Sequence, residues 1–368
     1  MAIGSFKLPN TAAAAVDPDA WVRPADWLAM PTIGTQEFIG LLAITDDESN
    51  HIALLSQGAY TVDWGDGVTE NVAGFVKASH SYTYSSISSA TLSTRGYKQV
   101  LVRVTPQAGQ NLTRIDLQQL NSVLNKTHTT GWLDLSINGS NITTLVLGGT
   151  TLRQSMCERV TIGTTGTITN LSGLFRDFFA LQSVLLSNTS TCNNFTDFFR
   201  NCYSLKTIPL FNTAAGTNFS GFFIGCYSLR TIPLLNTALG TNFSFFVQGC
   251  SSLQLIPLIN TALGTTFQGA FQVCSSLQQI PNLNTASGTV FSNMLDQSTS
   301  LAKGAFQGTR YAISYSGFCL SKSAIVDIFN GLGTAVGAQT VNVSSNPGRA
   351  ALTAAEILIA TSKGWTVV

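Results

Sequence analysis

The sequence predicts a mainly β protein, in which a β-sandwich is followed by a solenoid of 24-residue coils with an α/β cap at its C-terminal end. Three observations indicate this fold class. One segment recurs at a fixed step of 24 residues, an alternating apolar pattern surrounds an Asp-Gly turn earlier in the chain, and helical and strand-like segments alternate at the end. We expect four regions, which cover residues 1–40, 41–108, 109–310 and 311–368.

The composition excludes several classes of partner. Of the 368 residues only 10% are charged, the net charge is +1, and lysine and arginine form no run. Nucleic-acid binding and attraction to acidic membranes both depend on clustered positive charge, so we expect neither. No apolar stretch is long enough for membrane insertion, and the first residues lack a basic region followed by an apolar one, so we expect no secretory signal.

Residues 1–40 contain the segment DPDAWVRPADWLAMP, which begins at Asp17. Its closely spaced prolines disfavour a continuous helix and predict an extended arm. Tryptophans on such an arm expose apolar area unless a surface receives them. We therefore predict an arm that anchors the chain on a partner or a neighbouring subunit through Trp21, Arg23 and Trp27. The alternative is that both indole rings pack on the chain's own β-sandwich.

Residues 41–108 read as a β-sandwich, because GAYTVDWGDGVTENV, HSYTY and YKQVLVRVTP alternate apolar and polar residues around turns. These segments resemble the polycystic-kidney-disease-type (PKD) immunoglobulin-like domain. The positions that match its signature are Trp64, Gly65, Asp66, Gly67, His80, Tyr82, Tyr97, Val100, Val102 and Val104. The resemblance implies a structural bead or a module that contacts carbohydrate or protein. Asp63 and Asp66 could ligate calcium, but stabilising the Asp-Gly turn is the role that we prefer.

The regular repeat covers residues 171–295, and looser coils extend over the rest of 109–310. Four apolar slots recur every 24 residues. Their members are Cys202, Cys226, Cys250 and Cys274; Leu205, Leu229, Leu253 and Leu277; Ile208, Ile232, Ile256 and Ile280; and Phe219, Phe243, Phe267 and Phe291. A fixed period of this length predicts a solenoid in which each coil buries its apolar face only by stacking on its neighbours.

Within each coil we expect a short parallel strand at SLxxIP, ended by the proline, and a helical or 3₁₀ turn at FxxxFxxC. An asparagine between them, as at Asn212, is expected to satisfy backbone groups at the turn. The four cysteines are expected to be buried thiols of the core, because Phe178 replaces cysteine in an upstream coil. A metal site is not expected, since no histidine follows His128 and no C-x-x-C pair occurs.

These coils resemble the cysteine-containing bacterial surface-antigen type of leucine-rich repeat. Residues 311–368 resemble the closing segment that follows such repeats, with an amphipathic helix over 320–332, a strand at QTVNV, a second helix at LTAAEILIATSKG and a final strand at WTVV.

Catalysis is not expected on the repeats. Polysaccharide cleavage usually requires two nearby carboxylates, and between Phe178 and Gln297 the chain has only Asp197 and Asp296, about four coils apart. Neither a histidine near a nucleophile nor a phosphate-binding glycine loop is present in the repeats. We therefore predict no catalytic residues and no cofactor.

The whole arrangement resembles phage virion proteins displayed on a tail or capsid surface. The resemblance implies a non-catalytic virion protein, either a tail-fibre or adhesin-like component or a capsid decoration, which is assembled in the host cytoplasm as a homo-oligomer. Its arm would bind other virion proteins, and its solenoid would bind a host surface glycan or protein with avidity from many copies. The alternatives are a bacterial surface adhesin, a polysaccharide depolymerase spike and a cement protein that binds only other virion proteins.

Overall fold

The computed structural model describes residues 20–47, 50–121 and 128–368, and in these ranges it is mainly β with two α-helices. A β-solenoid of about nine turns forms most of the molecule. One continuous cluster of buried apolar side chains runs from Phe38 in the first strand to Trp365 in the last. In the described residues, one core therefore joins the N-terminal sheets to the C-terminal region.

Two sheets form the N-terminal part. Their strands are β1 (Gln36–Ile44), β2 (His51–Gln57), β3 (Tyr60–Asp63), β4 (Thr69–Val72), β5 (Lys77–Ser81) and β6 (Lys98–Pro106). Strand β1 pairs antiparallel with β6, β6 with β3, and β3 with β4, whereas β2 pairs with β5 in the second sheet. Side chains of both sheets, such as Phe38 and Leu54, share the buried cluster, because alternate residues of each strand face inward.

Both sheets continue into the solenoid. The next strands are β7 (Arg114–Asp116), β8 (His128–Thr129), β9 (Trp132–Gly139), β10 (Thr144–Val146), β11 (Leu152–Arg153), β12 (Arg159–Thr165) and β13 (Ser183–Leu186). On its other side β1 pairs antiparallel with β9, and β9, β12 and β13 follow as parallel neighbours. In the second sheet β2 pairs with β7 and β7 with β10. Hydrogen-bonded sheets therefore cross the boundary that the sequence predicts at residue 108.

The predicted SLxxIP strands are largely absent from the later coils. Ser183–Leu186 is a strand, whereas in the later coils this region contributes only isolated bridges, which join Leu255, Gln279 and Lys303. The difference follows from the prolines at 209, 233, 257 and 281, since proline has no N–H group to donate to a ladder. The more regular row of bridges lies elsewhere in the coil, where Asn170, Asn194, Asn218, Asn242, Thr266 and Val290 pair in sequence.

The FxxxFxxC segments form 3₁₀-type turns and not helices. Phe222 N–H donates to Phe219 O, and Cys226 N–H donates to Phe223 O, at 3.3 and 3.1 Å. Two slots per coil have φ between 54° and 76°, for example at Gly221 and Gly225. A residue in this left-handed region ends a right-handed helix, so the turn cannot extend.

The C-terminal region closes the stack with helices and a small parallel sheet. Helix α1 covers Lys322–Gly331 and α2 covers Ala354–Thr361, while β14 (Ile313–Ser314), β15 (Gln339–Asn342) and β16 (Trp365–Val367) pair in that order. Both predicted helices and both predicted strands are present. Ser321 caps α1, and Thr353 with Glu356 forms a capping box at α2.

Candidate functional site

The four repeat cysteines lie in the core as unpaired thiols, where the sequence places them. Each Sγ lies 3.0–3.2 Å from a backbone carbonyl oxygen of the preceding coil, which belongs to Phe175, Phe199, Phe223 or Val247. In the next coil Ser298 occupies the cysteine slot, and its hydroxyl donates to Phe271 O at 2.6 Å. From Cys202 to Ser298 the slot therefore holds a small side chain that donates a hydrogen bond, whereas one coil upstream the buried ring of Phe178 fills it.

Burial makes these thiols poor nucleophiles. It raises the pKa of Cys274 to about 12 and raises the pKa of Cys202, Cys226 and Cys250 as well. A thiolate is the reactive form of cysteine, so hardly any of it exists near neutral pH. The cysteines of this slot therefore act in packing and in hydrogen bonding to the preceding coil.

The leucine, isoleucine and phenylalanine slots form the rest of the core. All four leucines are fully buried, and the four isoleucines are at most 8% exposed. The rings of Phe195, Phe219, Phe243, Phe267 and Phe291 stack with centroids 5.6–5.7 Å apart and nearly parallel planes. Each coil therefore advances by about one strand spacing. At the coil edge the asparagine acts as predicted, since Asn212 Oδ1 accepts from Ala214 N–H at 2.9 Å.

The predicted anchoring residues lie against the chain itself. Trp27 is buried on β1 and β9, and its indole N–H donates to the Tyr97 hydroxyl at 2.9 Å. Arg23 pairs with the fully buried carboxylate of Asp134 at 2.9 Å. These contacts agree with the alternative interpretation, in which the rings pack on the molecule's own sheets. Residues 1–19 of the predicted arm lie outside the described residues.

Trp21 completes this attachment. Its indole N–H donates to Glu158 at 2.8 Å, and the guanidinium of Arg159 lies over its ring, 5.6 Å from the centroid. Asp26 closes the other end of the segment, because its carboxylate accepts from the N–H and hydroxyl of Thr94 and from the hydroxyl of Ser93. The backbone N–H of Thr94 is the largest cause that lowers the pKa of Asp26 from 3.8 to about 2.

Asp63 and Asp66 hold their turn through hydrogen bonds. Gly65 N–H donates to Asp63 Oδ1 at 3.0 Å, and Val68 N–H donates to Asp66 Oδ1 at 3.1 Å. The second oxygen of Asp66 lies 2.8 Å from His80 Nε2. Both carboxylates therefore act in the turn, which is the role that the sequence favours for them. Among the described residues, no group of three or more histidine, cysteine or acidic side chains could hold a metal ion.

The outer surface of the coils carries a feature that the sequence analysis missed. Leu210, Leu234 and Leu258 occupy the slot after the proline in three successive coils, and they are 68%, 62% and 63% exposed. We call these three residues the leucine row. Leu239 and Leu263, in another slot, are about half exposed. The recurrence of leucine after proline was the signal available in the sequence.

Isolated exposed leucines are ordinary, whereas larger exposed apolar patches are typical of interaction surfaces. Because the coils stack about one strand spacing apart, neighbouring side chains of the leucine row lie side by side. The leucine row has no charge of its own, so it suits an apolar or weakly polar surface.

Within the described ranges, no helix has the length and apolar character needed to cross a bilayer. No family model matches the chain, and no curated protein matches it.

Proposed function

We propose that the protein is a non-catalytic structural component of a phage virion, displayed on the particle surface as a tail-fibre or adhesin-like protein or as a capsid decoration. Its solenoid would bind the host surface or other virion proteins, and the protein would act as a homo-oligomer. The observation that carries the proposal is the leucine row, because it gives a rigid stack of coils a repeated apolar contact surface.

The same proposal includes a finer description of the fold. We propose that the N-terminal sandwich is an Ig-like domain of the PKD type, supported by the buried Trp64, which stacks on His80 at 5.0 Å, and by Tyr82, whose hydroxyl donates to Trp64 O. We propose that the solenoid consists of 24-residue leucine-rich coils. This is supported by the parallel bridges that join Asn194 to Asn218 and Asn218 to Asn242.

The arm would contribute a second surface, toward other virion proteins. In its described part, Trp21 and Trp27 hold it to the sheet, while Val22 between them is 81% exposed. Partner binding would therefore use the outer side of an arm that is already docked.

Location can be tested directly. Lysates of the producing cells are separated on a density gradient, particles are labelled with antibody to the chain, and the labelled particles are imaged. We expect the chain in the particle fraction, with label on the tail or capsid. Recovery of the chain only in soluble fractions, or only on cell envelopes, would contradict the proposal.

The contact surface can be tested on particles that lack the chain. Purified protein is added back, and bound protein is measured, together with adsorption of the particles to host cells. Changing the three residues of the leucine row to serine should reduce particle binding or adsorption about tenfold or more. The matched control changes Ala214, Ala238 and Ala262 of the same coils to serine and should bind normally. Equal behaviour of the two variants would refute a role for the leucine row.

A further inference from the structure

The coils are joined by a row of backbone hydrogen bonds that runs in one direction. In one coil, the N–H groups of Phe219, Gly221, Phe223 and Gly225 donate to carbonyl oxygens 23 residues further along the chain, at 2.8–2.9 Å. The corresponding four N–H groups of the coils that begin at residues 171, 195, 243 and 267 do the same, at 2.7–3.0 Å. Each coil therefore offers four donors to the next one.

The row stops at the coil that begins at Phe291. In the part of the chain that the structure describes, the N–H groups of Phe291, Asn293, Leu295 and Gln297 donate no hydrogen bond. The turn itself is intact, since Met294 N–H donates to Phe291 O as its counterparts do. Only the bonds to the following coil are missing.

A cavity of about 290 Å³ occupies the place of these bonds. If the row continued, the acceptors of Phe291, Asn293 and Leu295 would lie 23 residues on, at 314, 316 and 318. Ser314, Ser316 and Phe318 line the cavity together with residues 291 and 293–296. The cavity is therefore lined by both partners of three of the four missing bonds, and we call it the end cleft.

We propose that the end cleft binds a neutral sugar unit. Unpaired N–H donors are costly when they are withdrawn from water, so a ligand that supplies acceptors is favoured. Asp296 also lines the cleft, and its negative charge disfavours an anion there; its Oδ2 accepts from Gln272 Nε2 at 3.5 Å. A hydroxyl group both accepts and donates, so a polyhydroxylated ring can accept from the N–H groups and donate to Asp296 and to the serine hydroxyls.

The size of the end cleft suits a single sugar ring. Its volume of about 290 Å³ exceeds that of one hexose, which is on the order of six water molecules at roughly 30 Å³ each.

This inference goes beyond the proposed function, because the end cleft does not include the leucine row. Loss of sugar binding would leave the particle experiments unchanged, and failure of those experiments would leave the end cleft as it is.

The test uses the full chain and hydrogen exchange read by mass spectrometry. In the free protein we expect the amides of Phe291, Asn293 and Leu295 to exchange faster than those of Phe267, Gly269 and Phe271 one coil earlier. The probes are glucose, galactose, mannose and N-acetylglucosamine, with sodium sulfate and a capped Gly-Ala hexapeptide as competing classes. At least one sugar should bind with a millimolar Kd and slow exchange over 291–297 severalfold.

Two variants and one control decide the outcome. Ser314→Phe fills the end cleft and should lower the sugar affinity at least about tenfold, whereas Ser300→Phe, at an exposed residue that does not line it, should have no effect. Asp296→Asn keeps the shape and should weaken binding about tenfold by removing a charged acceptor. The proposal is overturned if no sugar protects these amides, if both serine variants bind alike, or if only sulfate or the peptide binds.

Discussion

Replacing a repeat cysteine by serine should harm the protein less than replacing it by alanine. Cys226 is fully buried, and its Sγ lies 3.0 Å from Phe199 O. Hydrophobicity alone predicts the opposite order, because serine is more polar than alanine. The structure reverses it, since Ser298 already occupies the same slot one coil after Cys274 and donates to Phe271 O.

The magnitudes come from the two contributions that the thiol makes. Cys226→Ala loses a buried group worth about 0.8 kcal/mol, together with a hydrogen bond worth about 0.5–1.5 kcal/mol, so we expect a loss of about 2 kcal/mol. Cys226→Ser loses the apolar contribution and buries a hydroxyl, but that hydroxyl donates to Phe199 O. We expect its cost to be about 1 kcal/mol.

Urea unfolding gives the total change in free energy, and hydrogen exchange of the coils on either side gives the local one, because repeat arrays can unfold in parts. The same pair of substitutions at Cys250 serves as a replicate. At the exposed Cys319 both should change stability by less than about 0.5 kcal/mol. A serine variant at 226 that is as unstable as the alanine variant would refute the reasoning.

Three further outcomes are expected. Among the seven cysteines, only Cys319 should react rapidly with a thiol reagent in the folded protein, because it is exposed and the others are buried; counting modified thiols by mass spectrometry checks this. The carboxylate of Asp26 has a lowered pKa, so its contribution to stability should be complete above about pH 4 and lost as the pH falls toward 2. Tryptophan fluorescence, followed as the pH is lowered, reports this loss of stability. Asp26→Asn should remove the pH dependence between about 4 and 2, and a variant with the same fluorescence profile as the original protein would contradict the prediction. Calcium should leave the melting temperature within about 1 °C of its value in chelator, because Asp63 and Asp66 already accept from their own turn.

The sequence period predicted the interior of the solenoid well, because every coil repeats the same environment. A slot such as that of Cys226 or Leu229 faces the core in one coil and therefore in all of them. The left-handed slots were also recognisable, since glycine, asparagine and aspartate recur at positions such as Asp197, Gly221 and Asn293. Those residue types are the ones that most readily adopt a positive φ, which is incompatible with a right-handed helix.

The remaining features depend on contacts that no local pattern records. The attachment of Arg23 requires Asp134, which lies 111 residues away and is itself shared with Arg159. The pairing of β1 with β9 depends on a register between a strand of the N-terminal sheets and a strand of the solenoid, whose sequence patterns differ. The end cleft lies where the 24-residue repeat ends. The missing hydrogen bonds between that coil and the next one cannot be read from the amino-acid composition.

Strand β1 joins the N-terminal sheets to the solenoid, since one of its edges pairs with β6 and the other with β9. Within the described residues, a force that pulls the N-terminal sheets away from the solenoid would therefore act on two rows of backbone hydrogen bonds at once. If the chain stands on a particle as proposed, the N-terminal sheets would set the direction in which the coils point.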